Sequence, residues 1–208
     1  ALATHFQPTS TNPNSLNAHS SFKEWQPSIN FIRITELILF IMKIHRNVLS
    51  EELLEHCIQE LVALSKERTW GSSTLIWSRD LLEGISGSTL KTFVTPVTKE
   101  KIIKCISKYY PDNIEYIMQY YIWQQNSGIS CHSDECYESG ATIYLNDWNM
   151  NFGGLFVWKD DNSDIMKAIA PQKNMMILND EKQHHLVTSI SPLSQEFRIT
   201  IQIWTTKK

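Results

Sequence analysis

A chain of 208 residues, 42% hydrophobic and 20% charged, has the size and composition of one globular domain and is short for two. A formal net charge of −3 gives no electrostatic footprint for nucleic acid. The apolar run from Ile29 to Ile44 is broken by Arg33, Glu36 and Lys43 and is too short and too charged to cross a bilayer, so no membrane partner is expected.

In chain order, residues 1–28 are rich in Ser, Thr, Asn, Pro and His, with few apolar anchors. They read as a polar leader or an arm lying on the domain. Residues 29–208 read as a single domain, with a supporting helical part at about 45–112 and a β core at about 115–204. Ile32, Ile34 and the run from Leu37 to Met42 suit a first strand, although so short a run also fits a helix.

A helix follows Ser50, a good N-cap, with Glu51 and Glu52 in its first turn. Leu54, Ile58, Leu61 and Leu64 recur at helical spacing, and Lys66 and Arg68 suit its C-terminal end. A second helix is predicted from Thr98 to Tyr109, with Ile102, Ile103 and Ile106 inward and Pro111 stopping it. Between them, the stretch from Gly71 to Ser88 reads as a loop bordering the active site.

Beyond residue 115 the period changes from helical to alternating. Strands are predicted at 115–125, 141–146, 153–158, 174–178, 185–190 and 197–204, separated by turn residues such as Asp160-Asp161-Asn162 and Ser191-Pro192. Short strands at near-regular spacing imply a sandwich or barrel. Seven Trp, seven Tyr and eight Phe suit a β-rich core or an aromatic-lined pocket. Cys57, Cys105, Cys131 and Cys136 lack C-x-x-C spacing and are expected to be reduced thiols of a cytoplasmic protein. Cys131 and Cys136 bracket a His/Asp pair, but their spacing suits neither a zinc ribbon nor a knuckle. The first residue is Ala1, which leaves open whether the chain is part of a longer protein.

Within Cys131-His132-Ser133-Asp134, an extended backbone sends His132 and Asp134 to one face. Alone, such a pair is more often a solvated polar loop. Two imidazoles and a carboxylate are, however, the ligand set that holds non-haem Fe(II) and leaves positions open. The adjacent His184 and His185 offer a second imidazole, and neighbours on a strand point to opposite faces, so one of the two can serve. In the last strand Phe197, Ile199, Ile201 and Ile203 share one face, and Arg198, Thr200, Gln202 and Trp204 the other. If the second face is the barrel interior, Arg198 is buried there and needs an anion.

Several segments resemble, in order, those of one family. Tyr121 to Asp134 reads Y-I-W-Q-Q-N-S-G-I-S-C-H-S-D, Thr142 to Trp148 reads T-I-Y-L-N-D-W, and Asn151 to Trp158 reads N-F-G-G-L-F-V-W. Ala170-Pro171 and the strand from Asn174 to Leu178 come next, followed by His185-Leu186-Val187-Thr188 and the strand from Arg198 to Trp204. The set is similar to the 2-oxoglutarate- and Fe(II)-dependent oxygenases, and within them to the prolyl 4-hydroxylase-like group. The resemblance implies an α+β, mainly β fold, a double-stranded β-helix (jelly-roll, cupin-like) core with N-terminal supporting helices. It implies His132, Asp134 and His185 as iron ligands, the H-x-V-T match favouring His185 over His184. Arg198 would bind the C5 carboxylate of 2-oxoglutarate, helped by Tyr144 and Thr200, and Tyr121 or Trp123 would lie near the C1 carboxylate.

The implied cofactors are Fe(II), 2-oxoglutarate as co-substrate and O₂, with ascorbate as a reductant. The implied reaction is hydroxylation of a peptidyl, prolyl or amino-acid-like substrate, with 2-oxoglutarate decarboxylated to succinate. Asp134 stands where halogenating relatives carry a small residue, which favours hydroxylation. Rival readings are a catalytically inactive barrel-type binding module, and desaturation or cyclisation of a small natural product by the same iron centre. A helical H-E-x-x-H zinc site is absent, as is a second arginine after Arg198 of the kind a nucleic-acid demethylase would need. Trp148, Trp158 and Trp204 are candidates for the wall of a substrate groove; the oligomeric state is left open.

Overall fold

The computed structural model describes residues 42–67, 89–159, 165–180 and 182–208. The predicted leader, most of the predicted first strand, the stretch from Gly71 to Ser88 and the turn at Asp160-Asp161-Asn162 lie outside the described residues. In chain order the elements are β1 (Lys43–Arg46), α1 (Glu51–Lys66), β2 (Thr89–Phe93), α2 (Pro96–Ile106), β3 (Ile114–Trp123), β4 (Ile129–His132) and β5 (Ser139–Tyr144). They continue with β6 (Phe156–Lys159), β7 (Met166–Ile169), β8 (Met175–Asp180), β9 (His185–Val187) and β10 (Arg198–Lys207). No helix among the described residues is long and apolar enough to cross a membrane.

Helix α1 starts where its cap places it: Ser50 Oγ accepts from the Leu53 amide at 3.2 Å, with Glu51 and Glu52 against the positive end of the helix. It buries Leu53, Leu54, Cys57 and Leu61. Helix α2 begins earlier than its apolar spacing predicts. Thr95 caps it, and Pro96, which needs no amide partner in the first turn, opens it. It also ends earlier, at Ile106, passing into a tighter helical turn over Ser107–Tyr109 well before Pro111.

Glu60 ties the two helices to the sheet. Its carboxylate accepts from Thr95 Oγ1 at 2.6 Å, from Tyr120 Oη at 3.0 Å, from the Thr95 amide at 3.2 Å and from Thr98 Oγ1. Burial works against its charge, but these donors outweigh it and hold the carboxyl below its ordinary pKa. Thr98 and Tyr120 are fully buried, so removing the acceptor costs each a buried bond, although Thr98 Oγ1 keeps His56 Nε2 at 2.9 Å. Glu60→Ala is expected to cost about 2–3 kcal/mol at neutral pH in urea denaturation. With the folded-state pKa below the unfolded one, this contribution is present above the ordinary Glu value and is lost as the pH falls through the folded value, so the gap between wild type and variant narrows in acid.

Two antiparallel sheets form the β core, one in the order β1-β8-β5-β10-β3-β2 and the other β4-β9-β6-β7. The larger sheet is a middle layer. On one face Tyr120, Ala141, Ile143, Met176, Ile201 and Ile203 pack against Leu53, Leu54, Leu61 and Ile102 of the helices. On the other face Tyr121, Trp123, Tyr144, Met175 and Ile177 pack against Ile129, Phe156 and Val187 of the smaller sheet. This is the mainly β, double-stranded β-helix architecture with supporting helices that the alternation and the resemblance imply.

The alternation of β10 holds from Arg198 onward, with the isoleucines toward the helices and Arg198, Thr200 and Trp204 toward the smaller sheet. Phe197 departs from it. It stands before the strand and is 54% exposed, its carbonyl held by the Asn146 side chain. Several predicted boundaries also move. Gly153 and Gly154 lie in a turn with positive φ, so β6 begins only at Phe156, and β9 stops at Val187. β8 runs on to Asp180, which brings Asn179 into the sheet.

Candidate metal centre

Strands β4 and β9 are neighbours, and their register sets His132 directly opposite His185, with ring centroids 4.4 Å apart. Asp134 reaches the same point by a different route from the one strand geometry predicts. β4 ends at His132, and Asp134 lies in the following turn, where its carbonyl accepts from the Tyr137 amide at 2.8 Å. The carboxylate still comes to the imidazoles: one ligand atom from each of His132, Asp134 and His185 lies within 4.8 Å of the others, with His185 Nε2 and Asp134 Oδ2 3.8 Å apart. The cluster includes neither Cys131 nor Cys136, both of which are exposed.

Both histidines are prepared in the same way. His132 Nδ1 lies 2.8 Å from the Ser130 carbonyl and His185 Nδ1 lies 2.8 Å from the Gln183 carbonyl. A carbonyl only accepts, so each Nδ1 carries the proton and each Nε2 lone pair is free for a metal. His185 is buried and stacks on Phe156 at 5.1 Å. Burial, followed by the neighbouring His132, pushes its pKa down and favours the neutral, ligating imidazole. The adjacent His184 points to the exposed face, as the pleat demands.

The cluster opens into a cavity of about 240 Å³ between the two sheets, walled by Tyr121, Trp123, Tyr144, Arg198, Gln202 and Trp204 among others. Of the three tryptophans considered for a groove, Trp204 lines it and Trp148 and Trp158 do not. Trp148 instead donates to the Gly153 carbonyl at 2.9 Å. A larger and more open groove of about 560 Å³ runs between α1 and α2, remote in the fold from the His/Asp cluster.

Arg198 is 1% exposed. Its Nη1 donates to the Gly154 carbonyl, and its guanidinium lies 4.3 Å from the Trp123 ring centroid and 5.8 Å from that of Tyr144. Among the described residues no carboxylate pairs with it. Among the described residues, Arg198 Nε and the Tyr144 hydroxyl are both buried without a hydrogen-bond partner. Burial lowers the Arg198 pKa to about 10 and raises that of Tyr144 to about 12, so at neutral pH one is a cation and the other a protonated donor. Two unspent donors on one wall, one of them charged, suit a carboxylate guest.

Thr200 is placed differently. Fully buried and set back from the cavity wall, its Oγ1 accepts from Trp123 Nε1 and from Gln202 Nε2, each at 3.0 Å. Gln202 in turn accepts from Thr142 Oγ1 at 2.9 Å and lines the cavity itself. Trp123 is therefore locked beneath Arg198, and Tyr121 lines the cavity on the same strand. Gln202 and Thr142 lie in segments that carry the resemblance but have no role assigned by it; alternation places Gln202 on the inner face.

Residues 117–206 match the family described as the 2OG-Fe(II) oxygenase superfamily, a span containing the His/Asp cluster and Arg198. These residues have the sequence pattern of that superfamily. No curated protein matches the chain by sequence. Among solved structures it is similar to a Pseudomonas putida prolyl-4-hydroxylase (13% identity, TM-score 0.61, covering 80% of this chain and 92% of that one). It is also similar to a prolyl hydroxylase from Trichoplax adhaerens solved with a peptide of the hypoxia inducible factor oxygen degradation domain (14% identity, TM-score 0.60, covering 80% and 83%). A third is SnoN, a non-haem alpha-ketoglutarate-dependent epimerase from nogalamycin biosynthesis (10% identity, TM-score 0.58, covering 80% and 78%). At these identities the likeness is one of fold.

The cofactors of a 2OG-Fe(II) oxygenase are Fe(II) and 2-oxoglutarate, and the residues present fit both. The donor set of two Nε2 atoms and one carboxylate suits iron, and the partnerless Arg198 Nε and Tyr144 hydroxyl suit a dicarboxylate. Gly154 adds a constraint. Its φ of +65° favours glycine, and a Cβ there would lie 3.0 Å from Arg198 Nη1. Gly154→Ala is expected to lower stability by about 1–2 kcal/mol and to weaken 2-oxoglutarate binding as the guanidinium shifts; thermal unfolding and a co-substrate titration measure the two effects.

Proposed function

We propose that this 2OG-Fe(II) oxygenase hydroxylates an unactivated C–H bond of a peptidyl, prolyl or amino-acid-like substrate. In that reaction one atom of O₂ enters the product and the other enters succinate, with CO₂ released from 2-oxoglutarate. The observation that carries this reading is the buried, carboxylate-free Arg198 on the wall of the cavity into which His132, Asp134 and His185 open. In this reading His132 and His185 hold Fe(II) through Nε2 and Asp134 through its carboxylate. Fe(II) supplies the oxygen chemistry, with ascorbate as a reductant that keeps it in the active state.

The protein's own residues bind and orient. Arg198 pairs with the C5 carboxylate of 2-oxoglutarate, and the Tyr144 hydroxyl donates to the same group. Thr200 acts by fixing Trp123 under the guanidinium and Gln202 beside it. Tyr121 and Trp123 wall the side on which the C1 carboxylate would lie. The apolar walls around Phe156, Val187 and Trp204 exclude water from the reacting atoms.

Hydroxylation is favoured by Asp134, which fills the position that halogenation would need open. The fold likeness to an epimerase keeps a second reading in view, a non-hydroxylating oxidation of a small natural product by the same centre. Aerobic incubation with Fe(II), ascorbate, 2-oxoglutarate and a panel of proline-containing peptides and free amino acids tests the proposal. Succinate formation together with a product heavier by one oxygen atom is expected. Succinate with a product lighter by two hydrogens, or unchanged in mass, would replace hydroxylation by desaturation or epimerisation.

A further inference from the structure

We propose that Gly140 and Asn179 form the seat of the Asp134 carboxylate and are positioning residues for the metal; this rests on His132, Asp134 and His185 being its ligands. Asp134 stands beyond the end of β4, where strand pairing no longer fixes its side chain. Something outside that strand has to aim the carboxylate at the two imidazoles. Two residues from the facing sheet do so, and neither belongs to a recognisable motif.

Gly140 on β5 and Asn179 on β8 are register partners, and both point into the barrel interior. Asn179 is 4% exposed, and its Nδ2 donates to Asp134 Oδ2 at 3.2 Å. That oxygen also lies 3.8 Å from His185 Nε2. A hydrogen bond to a ligating carboxylate from a buried amide is the usual way an outer residue fixes the direction of a metal ligand.

Gly140 acts through space. A Cβ built on it would stand 2.4 Å from Asp134 Oδ2 and 3.0 Å from Asn179 Nδ2, distances that ordinary packing does not allow. Its backbone is not in the left-handed region that calls for glycine, which among the described glycines holds Gly153 and Gly154. In the middle of a strand, alanine is normally the better residue. One reason for glycine therefore remains here: the carboxylate and its amide partner occupy the volume of the missing methyl.

The test uses the full chain with Co(II) as the probe. Co(II) affinity and the metal-free melting temperature are measured for wild type, Gly140→Ala, Asn179→Ala, Asp134→Ala and the Gly140→Ala/Asp134→Ala double variant. Gly140→Ala and Asn179→Ala are each expected to weaken Co(II) binding about 10–100-fold. Most of any fall in melting temperature caused by Gly140→Ala is expected to be regained in the double variant, because the oxygen at 2.4 Å is gone and only the softer contact with the Asn179 amide is left. Unchanged Co(II) affinity in either single variant would overturn the proposal, as would a loss of stability that persists in full in the double variant. Asp134→Ala separates this from the ligand assignment: if it leaves Co(II) affinity intact, the assignment itself fails, whereas a loss in Asp134→Ala with none in the two seat variants refutes the seat alone.

Discussion

Arg198→Met is expected to leave a folded, metal-binding protein that has lost its response to 2-oxoglutarate. Truncating one member of a buried charge pair costs about 2–5 kcal/mol, and a factor of ten in affinity is about 1.4 kcal/mol, so the loss should be roughly thirtyfold to several thousandfold. The direction of the stability change is the sharper feature. In the free protein Arg198 is a buried cation with no carboxylate beside it among the described residues, an arrangement that opposes folding. Methionine can still cover the Trp123 ring and removes the charge, although the cation–π contact is lost and the Gly154 carbonyl loses its donor. The metal-free variant should therefore unfold within about 1 kcal/mol of wild type, or above it, while the stabilisation conferred by added 2-oxoglutarate disappears. A marked fall in metal-free stability with co-substrate binding intact would make Arg198 a structural residue.

Single alanine substitutions of His132, Asp134 and His185 are expected to abolish Fe(II)-dependent turnover of 2-oxoglutarate, and His184→Ala to leave it within about twofold of wild type. The pleat is the reason for the contrast: His185 is buried against Phe156 in the cavity, and His184 is on the solvent side. Each ligand variant removes a donor that Ser130, Gln183 or Asn179 holds in place. Chelation of the metal should give the same loss, restored by Fe(II). Because two apolar layers build the core without the metal, the ligand variants should retain their secondary structure by circular dichroism.

The readable parts of the sequence were those where a local rule and the tertiary structure agree. Ser50 with its two following glutamates marks α1, and the alternation of Arg198 to Trp204 marks β10 and its inner face. Elements that the sequence hides have little apolar signal of their own. β1 and β7 are short and mostly exposed, the end strands of their sheets, so neither needs an apolar face. β2 lies between two helices in a stretch whose helical punctuation dominates its alternation. The site divides along the same line. His132 and Arg198 were legible from motif and period, and the choice of His185 over His184 from the neighbouring Val187 and Thr188. Gly140, Asn179 and Gln202 become functional candidates only when β5, β8 and β10 are brought side by side, an adjacency no window of sequence contains.

Calorimetric titration of 2-oxoglutarate into the Mn(II)-loaded protein tests most directly whether the His/Asp cluster and Arg198 make a single site. One molecule is expected to bind per chain, with binding lost when the metal is withheld, in Asp134→Ala and in Arg198→Met. Binding that survives without the metal, or that is equal in wild type and Arg198→Met, would contradict it.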